Sequence, residues 1–341
     1  MLPQVSRTFN LAIKFLPERL GRPVGLAYLL CRIADTFEDS AVLDPSDRQV
    51  MLGKYAELLD TPGSYNLTLM REIQAAFAGA KANENSATSS FPDHIPSVNL
   101  VENLDKVLIA VDSMPESFRN HIFPRLQEMS LGMAHYTTLP SGNQADVKFL
   151  SDENDWDNYC YYVAGTVSHM LTDIFSDYVG FSDSTRERLH PLGRSFGLGL
   201  QKVNILKDAV IDTSRGVCFL PRTVIDRYNI SFGQRSLTDL RGDIKGLVLD
   251  VVDSSRRHFE DSLEYISIIP KKHYGLRMFL IVPVMLAAAT LRLISEYPHK
   301  LVDKGDLKLA RGEVWSLVRK AFFLRFSNRL LNYSFGRLYP A

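Results

Sequence analysis

Apolar residues recur three and four positions apart through Phe9–Leu16, Leu26–Ile33, Met51–Leu59, Val101–Val111, Ile122–Met133, Tyr159–Phe175, Leu198–Ile211, Ile244–Val252 and Leu317–Leu331. That spacing gathers them on one face of an α-helix and predicts a helix at each stretch. Alternating strand-like runs joined by Asn-Gly or Asp-Gly turns are missing, so no β-hairpin is expected. Breaks are expected at Pro17 and Gly21-Arg22-Pro23, at Asp44-Pro45-Ser46, at Met114-Pro115-Glu116 and at Leu139-Pro140-Ser141-Gly142. Ala80–Ser97, rich in Ala, Asn and Ser and holding Pro92 and Pro96, reads as a loop within one domain. The most apolar run is Met278–Leu291, 14 residues between Arg277 and Arg292 with Pro283 inside it. It is too short to span a bilayer unaided and predicts a buried core helix. Neither a composition shift nor a repeat marks a second domain, so the expectation is a single all-α domain over residues 1–341, with about ten or more helices.

Two acidic clusters interrupt this apolar periodicity. Asp35, Glu38 and Asp39 lie three and four apart and share a helix face, as do Asp208 and Asp212. Like charges at that spacing repel by about 0.2–0.5 kcal/mol per pair. The neighbours Leu29, Leu30, Ile33, Val203, Ile205 and Leu206 raise the cost, because buried carboxylates need partners or a metal. Two such clusters facing each other would line a cavity for hard divalent cations. Mg2+ takes one or two carboxylates and fills its shell with water and phosphate oxygens, which points to chemistry on a diphosphate. In the second cluster Asn204 joins Asp208 and Asp212 in one ladder, with Gln201 a turn earlier. The blander alternative is a set of surface acids pairing with Lys207 and Arg215.

Cations accompany both clusters: Arg7 near the N-terminus, Arg32 before Asp35, and Lys207 and Arg215 around Asp208. Arginine grips phosphate oxygens in pairs and lysine acts as a point charge, although charge balance on exposed helices would look the same. In Trp156–Val167 aromatics are followed by small residues, which suggests a helix tightly packed on its neighbour, with tyrosines in the core or facing a pocket. Phe196-Gly197-Leu198-Gly199-Leu200 follows no strand and lacks the third glycine of a dinucleotide loop. Lys+Arg and Asp+Glu balance at 39 each, which removes any general attraction to nucleic acid. Three cysteines without metal-ligand spacing suit a reducing, cytoplasmic setting. No secretory signal or transmembrane anchor is visible, and loose membrane association is compatible with the chain.

Four blocks resemble the head-to-head trans-isoprenyl diphosphate synthases, the squalene/phytoene synthase family. They are Ser6-Arg7-Thr8-Phe9, Tyr28 through Asp39, Tyr159 through Gly165, and Leu200 through Asp208, in register over residues 6–221. Tyr-Cys-x-Tyr-Val-Ala-Gly and Leu-Gln-Lys-x-Asn-Ile are closer to the squalene-forming branch than to the phytoene-forming one. Lys308-Leu309-Ala310-Arg311-Gly312 resembles the basic segment near the reductant, with Ala310 replacing a basic residue. Ile211 stands where glutamate is usual, and Lys207 where arginine is common. The chain begins almost at the first block and ends without the C-terminal anchor of eukaryotic forms.

The resemblance implies a terpenoid-synthase-like bundle around a central hydrophobic cavity. It further implies two farnesyl diphosphates condensed through presqualene diphosphate to squalene with Mg2+ and NADPH. Asp35, Glu38, Asp39, Asp208 and Asp212 become metal ligands. Arg7, Arg32, Lys207, Arg215, Gln201 and Asn204 become diphosphate ligands, and Tyr159, Tyr28 and Phe279 catalytic residues. Lys308 and Arg311 are expected at the cofactor phosphates, although by chemistry alone they read equally as a solvated loop. A monomer is expected, with peripheral membrane association compatible with product release. Alternatives within the family stop at presqualene diphosphate or form dehydrosqualene or phytoene without reductant. A non-catalytic helical scaffold is the alternative from another class.

Overall fold

A computed structural model describes residues 8–40, 43–78, 94–139, 147–214, 216–231, 241–304 and 307–340. Within these, sixteen α-helices, a π-helical segment and one two-stranded sheet form two compact units. The first unit is Met1–Thr138 with His169–Ser182, and the second is Leu139–Ser168 with Asp183–Ala341.

The first unit contains α1 (Thr8–Ile13), α2 (Glu18–Glu38), α3 (Pro45–Leu58), α4 (Leu67–Ala78), α5 (His94–Glu102), α6 (Leu104–Asp112) and α7 (Glu116–Tyr136). It also takes the greater part of α9 (Thr166–Val179). Helix α2 runs through the unit and packs against α3, α5, α6 and α7. Its Leu30, Ile33, Ala34 and Phe37 are fully buried. The Phe37 ring meets Tyr55 and Phe77, each at 5.5 Å between centroids, and the Tyr55 hydroxyl donates to the Leu30 carbonyl at 3.0 Å. The break expected at Gly21-Arg22-Pro23 is absent, because that triplet lies inside α2. Its tertiary packing outweighs the one backbone bond that Pro23 removes. The expected loop Ala80–Ser97 falls partly outside the described residues, and its last part is already helical. Pro96 sits in the first turn of α5, where a missing N–H costs nothing.

The second unit contains β1 (Lys148–Leu150), α8 (Glu153–Cys160), the π-segment Tyr161–Gly165, α10 (Asp183–Ser214), β2 (Val217–Pro221) and α11 (Arg222–Arg227). It continues through α12 (Ile244–Ile268), α13 (Tyr274–Glu296), α14 (His299–Lys304), α15 (Arg311–Leu324) and α16 (Asn328–Leu338). The long α10 packs on α12, α13, β2 and the π-segment. The strands pair in parallel, Lys148 opposite Val217 and Phe149 opposite Cys218. They are too short to show an alternating pattern, so nothing in the periodicity announces them. The apolar run reads correctly as core: every residue from Gly275 to Ala289 is buried. The helix is longer than the run, 23 residues, and by length and composition alone could cross a membrane, but most of its apolar window is buried within the protein. The stretch Leu317–Leu331 is two helices, broken where Ser327 caps α16 by accepting from the Leu330 N–H.

The close helix contact expected at Trp156–Val167 is present. A Cβ at Gly165 would come within 2.6 Å of the Tyr161 ring, and one at Gly197 within 2.5 Å of the Ala164 carbonyl oxygen. The glycines of Phe196–Leu200 therefore serve helix packing. Thr166 N–H reaches back five residues to the Tyr161 carbonyl, which would orphan the Tyr162 carbonyl; the Thr166 hydroxyl takes that oxygen at 2.7 Å. Gly197→Ala is expected to lower stability by a net of about 1–2 kcal/mol despite alanine's better helix propensity. A urea midpoint at or above wild type would show that α10 and the π-segment can separate freely.

Candidate active site

Helix α2 has a buried body and one stripe that reaches solvent. Tyr28, Arg32, Asp35 and Asp39 fall four, three and four residues apart, and each is at least partly exposed while the positions between them are mostly buried. Packing on α3, α5, α6 and α7 fixes this orientation, so the sequence periodicity aims the stripe. Arg32 approaches Asp35 at 3.6 Å, and the Tyr28 ring lies 5.5 Å from Phe9. Glu38 is partly exposed at the end of the same helix, with its Oε1 buried. Burial pushes the Asp35 carboxyl up to about 6, Arg32 pulls against that, and Asp39 pushes the same way as burial. A carboxyl raised mainly by burial, with a second carboxylate beside it, binds a cation readily once its proton leaves.

The same construction recurs on α10. Gln201, Asn204, Lys207, Asp208, Ile211 and Asp212 are partly or fully exposed, while Lys202, Val203, Ile205, Leu206, Ala209 and Val210 are buried. Lys207 Nζ lies 3.1 Å from Asp208 Oδ2. Arg7 and Arg215 lie outside the described residues. Among the described residues no three His, Cys, Asp or Glu side chains form a metal group. Each stripe instead offers two carboxylates four residues apart. That donor set fits Mg2+, which leaves most of its shell to water and phosphate.

Tyr159 is almost wholly buried at the end of α8, with its ring stacked on Phe219 of β2 at 4.3 Å and 7°. Phe219 escaped the sequence reading because β2 did. Two residues before Tyr159, Asp157 pairs with the buried Lys202 of α10 at 2.7 Å, and the Lys202 ammonium sits 4.6 Å from the Trp156 ring centre. This buried pair ties α8 to the helix that carries Asn204 and Asp208. It too went unread, since Lys202 gives no signal of burial beyond its apolar neighbours. Phe279 is buried in α13. Lys308 and Arg311 are both exposed, in the segment leading into α15 and at its first residue, beside the buried Leu307. Two solvent-facing cations suit phosphate groups. Cys31, Cys160 and Cys218 are all free and buried, and burial pushes their thiols up, Cys218 to about 12.

The Asp35 shift has a testable sign. A carboxyl raised in the folded state contributes stability below its unfolded value, 3.8, and loses it as pH rises through about 6. Ionised Asp35 therefore weakens the metal-free fold at neutral pH. Asp35→Asn should stabilise that form by about 1–2 kcal/mol once solvent screening is allowed for. The gain should shrink as pH falls from 6 toward 3.8. Thermal melts with a chelator across this range measure it, and a neutral-pH loss of stability would refute the reading.

The family described as squalene/phytoene synthase matches residues 2–313. A squalene synthase of Schizosaccharomyces pombe is 28% identical over 319 residues, which cover 93% of this chain and 63% of that protein. The Homo sapiens squalene synthase is 25% identical over 320 residues, covering 94% of this chain and 68% of that one. The chain thus spans about two thirds of the length of these relatives. Among solved structures, a complex of TcSQS with a ligand is similar at TM-score 0.75 and 21% identity, covering 99% of this chain and 88% of that one. A dehydrosqualene synthase in complex with a ligand is similar at TM-score 0.59 and 17% identity, covering 94% and 92%. At these identities the structural likenesses establish the all-α fold.

Proposed function

Because the chain belongs to the squalene/phytoene synthase family, we propose that it joins two farnesyl diphosphates head to head, through presqualene diphosphate, to squalene. The observation that carries this reading is the pair of carboxylate stripes on α2 and α10, each reaching solvent from an otherwise buried helix. The family match crosses both compact units, which supports treating them as parts of one catalytic domain.

In this reading Asp35 and Asp39 on one helix and Asp208 and Asp212 on the other hold Mg2+, with Glu38 supporting the first pair. Mg2+, when bound there, would supply the positive charge that neutralises a diphosphate leaving group. Arg32 and Lys207, with Arg7 and Arg215, hold phosphate oxygens as charge moves onto them, and the Gln201 and Asn204 amides donate hydrogen bonds. Once the first farnesyl group ionises, the double bond of the second attacks it and a proton must leave to close the cyclopropane. The Tyr159 hydroxyl assists that proton with the released diphosphate, and the Phe219 stack holds the ring still. Tyr28 stands on the same stripe as Asp35 and serves the first step. Apolar helix α13, with Phe279, keeps water from the cations of the second half-reaction, since water would trap them. NADPH, when bound, supplies the hydride that ends that half-reaction, and Lys308 and Arg311 are assigned to its phosphates.

The deciding experiment incubates the protein with farnesyl diphosphate and Mg2+, with and without NADPH. Squalene should form with NADPH, and presqualene diphosphate or unreduced products should accumulate without it. The same unreduced hydrocarbon in both arms would assign the chain to the dehydrosqualene- or phytoene-forming branch. Tyr159→Phe should slow presqualene diphosphate formation more than it raises KM. A change in KM alone would make Tyr159 a packing residue.

A further inference from the structure

Two features of α8 work against its own stability. The Trp156 indole is buried, yet its Nε1–H makes no hydrogen bond within the protein. Asp157 Oδ1 is buried too, with the Lys202 ammonium at 2.7 Å, and Lys202 is itself only 4% exposed. A buried polar group without a partner is costly, and a buried ion pair returns little beyond its own desolvation. An apolar contact would hold α8 on α10 at least as firmly, so stability does not account for the arrangement. Fixing register is what such a pair does well.

The pair sits where register matters. Helix α8 has eight residues, whereas α10 has 32 and packs along α12, α13 and β2. The long helix is the fixed reference, and the short one is aimed by its contacts. Tyr159 follows Asp157 by two residues and Trp156 by three, so a shift of α8 is a shift of the phenol. Its parallel stack on Phe219, at 4.3 Å and 7°, fixes the plane of the ring but allows a slide within that plane. Lys202 blocks the slide, because its ammonium meets both the Asp157 carboxylate and the Trp156 ring, 4.6 Å from the ring centre. Two successive residues of α8 thus grip one atom of α10. Asn204 lies two residues on from Lys202, about 200° around the helix, so the grip is made from behind the carboxylate stripe.

We propose that Asp157, Lys202 and Trp156 are positioning residues that set the Tyr159 hydroxyl against the Asn204–Asp208 ladder and thereby determine the rate of cyclopropane closure. This rests on the proposed synthesis of presqualene diphosphate and extends it to groups that touch no substrate. Loss of the pair should leave α8 attached, since Glu153 in its first turn accepts from Arg227 at 2.6 Å and from Thr223 at 2.8 Å.

Asp157→Asn with Lys202→Met removes both charges together, so no buried charge is stranded and the urea midpoint should stay near wild type. Rapid-quench assays should show presqualene diphosphate forming about 10–100-fold more slowly, the scale of a misplacement near 1 Å, with KM changed about twofold or less. Given presqualene diphosphate and NADPH, the same variant should form squalene at close to the wild-type rate, because that half-reaction does not use the Tyr159 proton step. The decisive measurement adds Tyr159→Phe. Residues that act through the phenol cannot much further slow a variant lacking its hydroxyl, so the triple variant should match Tyr159→Phe within about twofold. Losses that multiply would show that the pair acts elsewhere, and turnover that falls only as stability falls would make it ordinary structure; either overturns the proposal. Asp157→Asn alone keeps the side chain's shape and an acceptor for Lys202, and it carries the same comparison if the double variant does not fold. A wild-type protein inactive on farnesyl diphosphate would refute the activity and this proposal with it, whereas the outcomes above refute the positioning alone.

Discussion

Asp208→Asn should reduce turnover on farnesyl diphosphate by about 10²–10³-fold, the scale of losing one electrostatic contact to charge that develops in the transition state. The substitution keeps size and shape and removes a negative charge from a proposed metal ligand. Asp208 is partly exposed on α10, with Lys207 at 3.1 Å. After the substitution Lys207 faces a neutral amide, and the metal has one charged ligand fewer. Asp35→Asn should lose activity on a similar scale while gaining stability in the metal-free form. That opposition separates a metal ligand from a structural acid, because a structural acid would lose both together. Circular dichroism should show unchanged helical content. Near-wild-type turnover in either variant would dismiss the metal assignment.

Arg277→Met should remove about 3–5 kcal/mol of stability. Arg277 is completely buried in the first turn of α13. It donates to the carbonyls of Ile266, Ile269 and Arg325 at 2.6, 2.9 and 2.7 Å, and to Asn328 Oδ1 at 2.6 Å. Two of those carbonyls close the C-terminal end of α12, where the backbone dipole favours a cation. Methionine fills most of the volume but leaves four buried acceptors without a donor, each costing about 1–3 kcal/mol before relaxation. Arg277→Lys should recover part of the loss, since one ammonium cannot reach all four. The urea midpoint measures both, and a shift in Arg277→Met below that of an ordinary surface substitution would sink this account.

These two residues mark what could be read before the fold was known. The partly exposed stripe that holds Asp208 on a largely buried helix was legible because carboxylates at helical spacing conflict with apolar neighbours, and that conflict is visible in a linear string. The helical class and the buried α13 followed from periodicity for the same reason. Arg277 was visible only as the charged end of an apolar run, which reads as a helix boundary. Its partners lie in three other segments, and no local pattern encodes them. The strands failed similarly: Lys148–Leu150 and Val217–Pro221 are stabilised by each other across a large sequence separation. Lys202 is buried against Asp157 and Trp156, two partners that no local pattern around it encodes. Local conflicts were legible, and long-range satisfaction was not.

The π-segment also determines where Tyr159 points. Each α-helical residue turns the chain by about 100°, so a surplus residue between α8 and α9 resets the phase of everything before it against everything after. Tyr159 precedes Tyr161–Gly165 and Thr166 follows it. Deleting a single residue there would restore an unbroken α-helix and swing the phenol ring off Phe219 without altering its identity. In such a frame the tyrosine would be present yet misaimed, a defect of angular registry that no single side-chain substitution could reproduce.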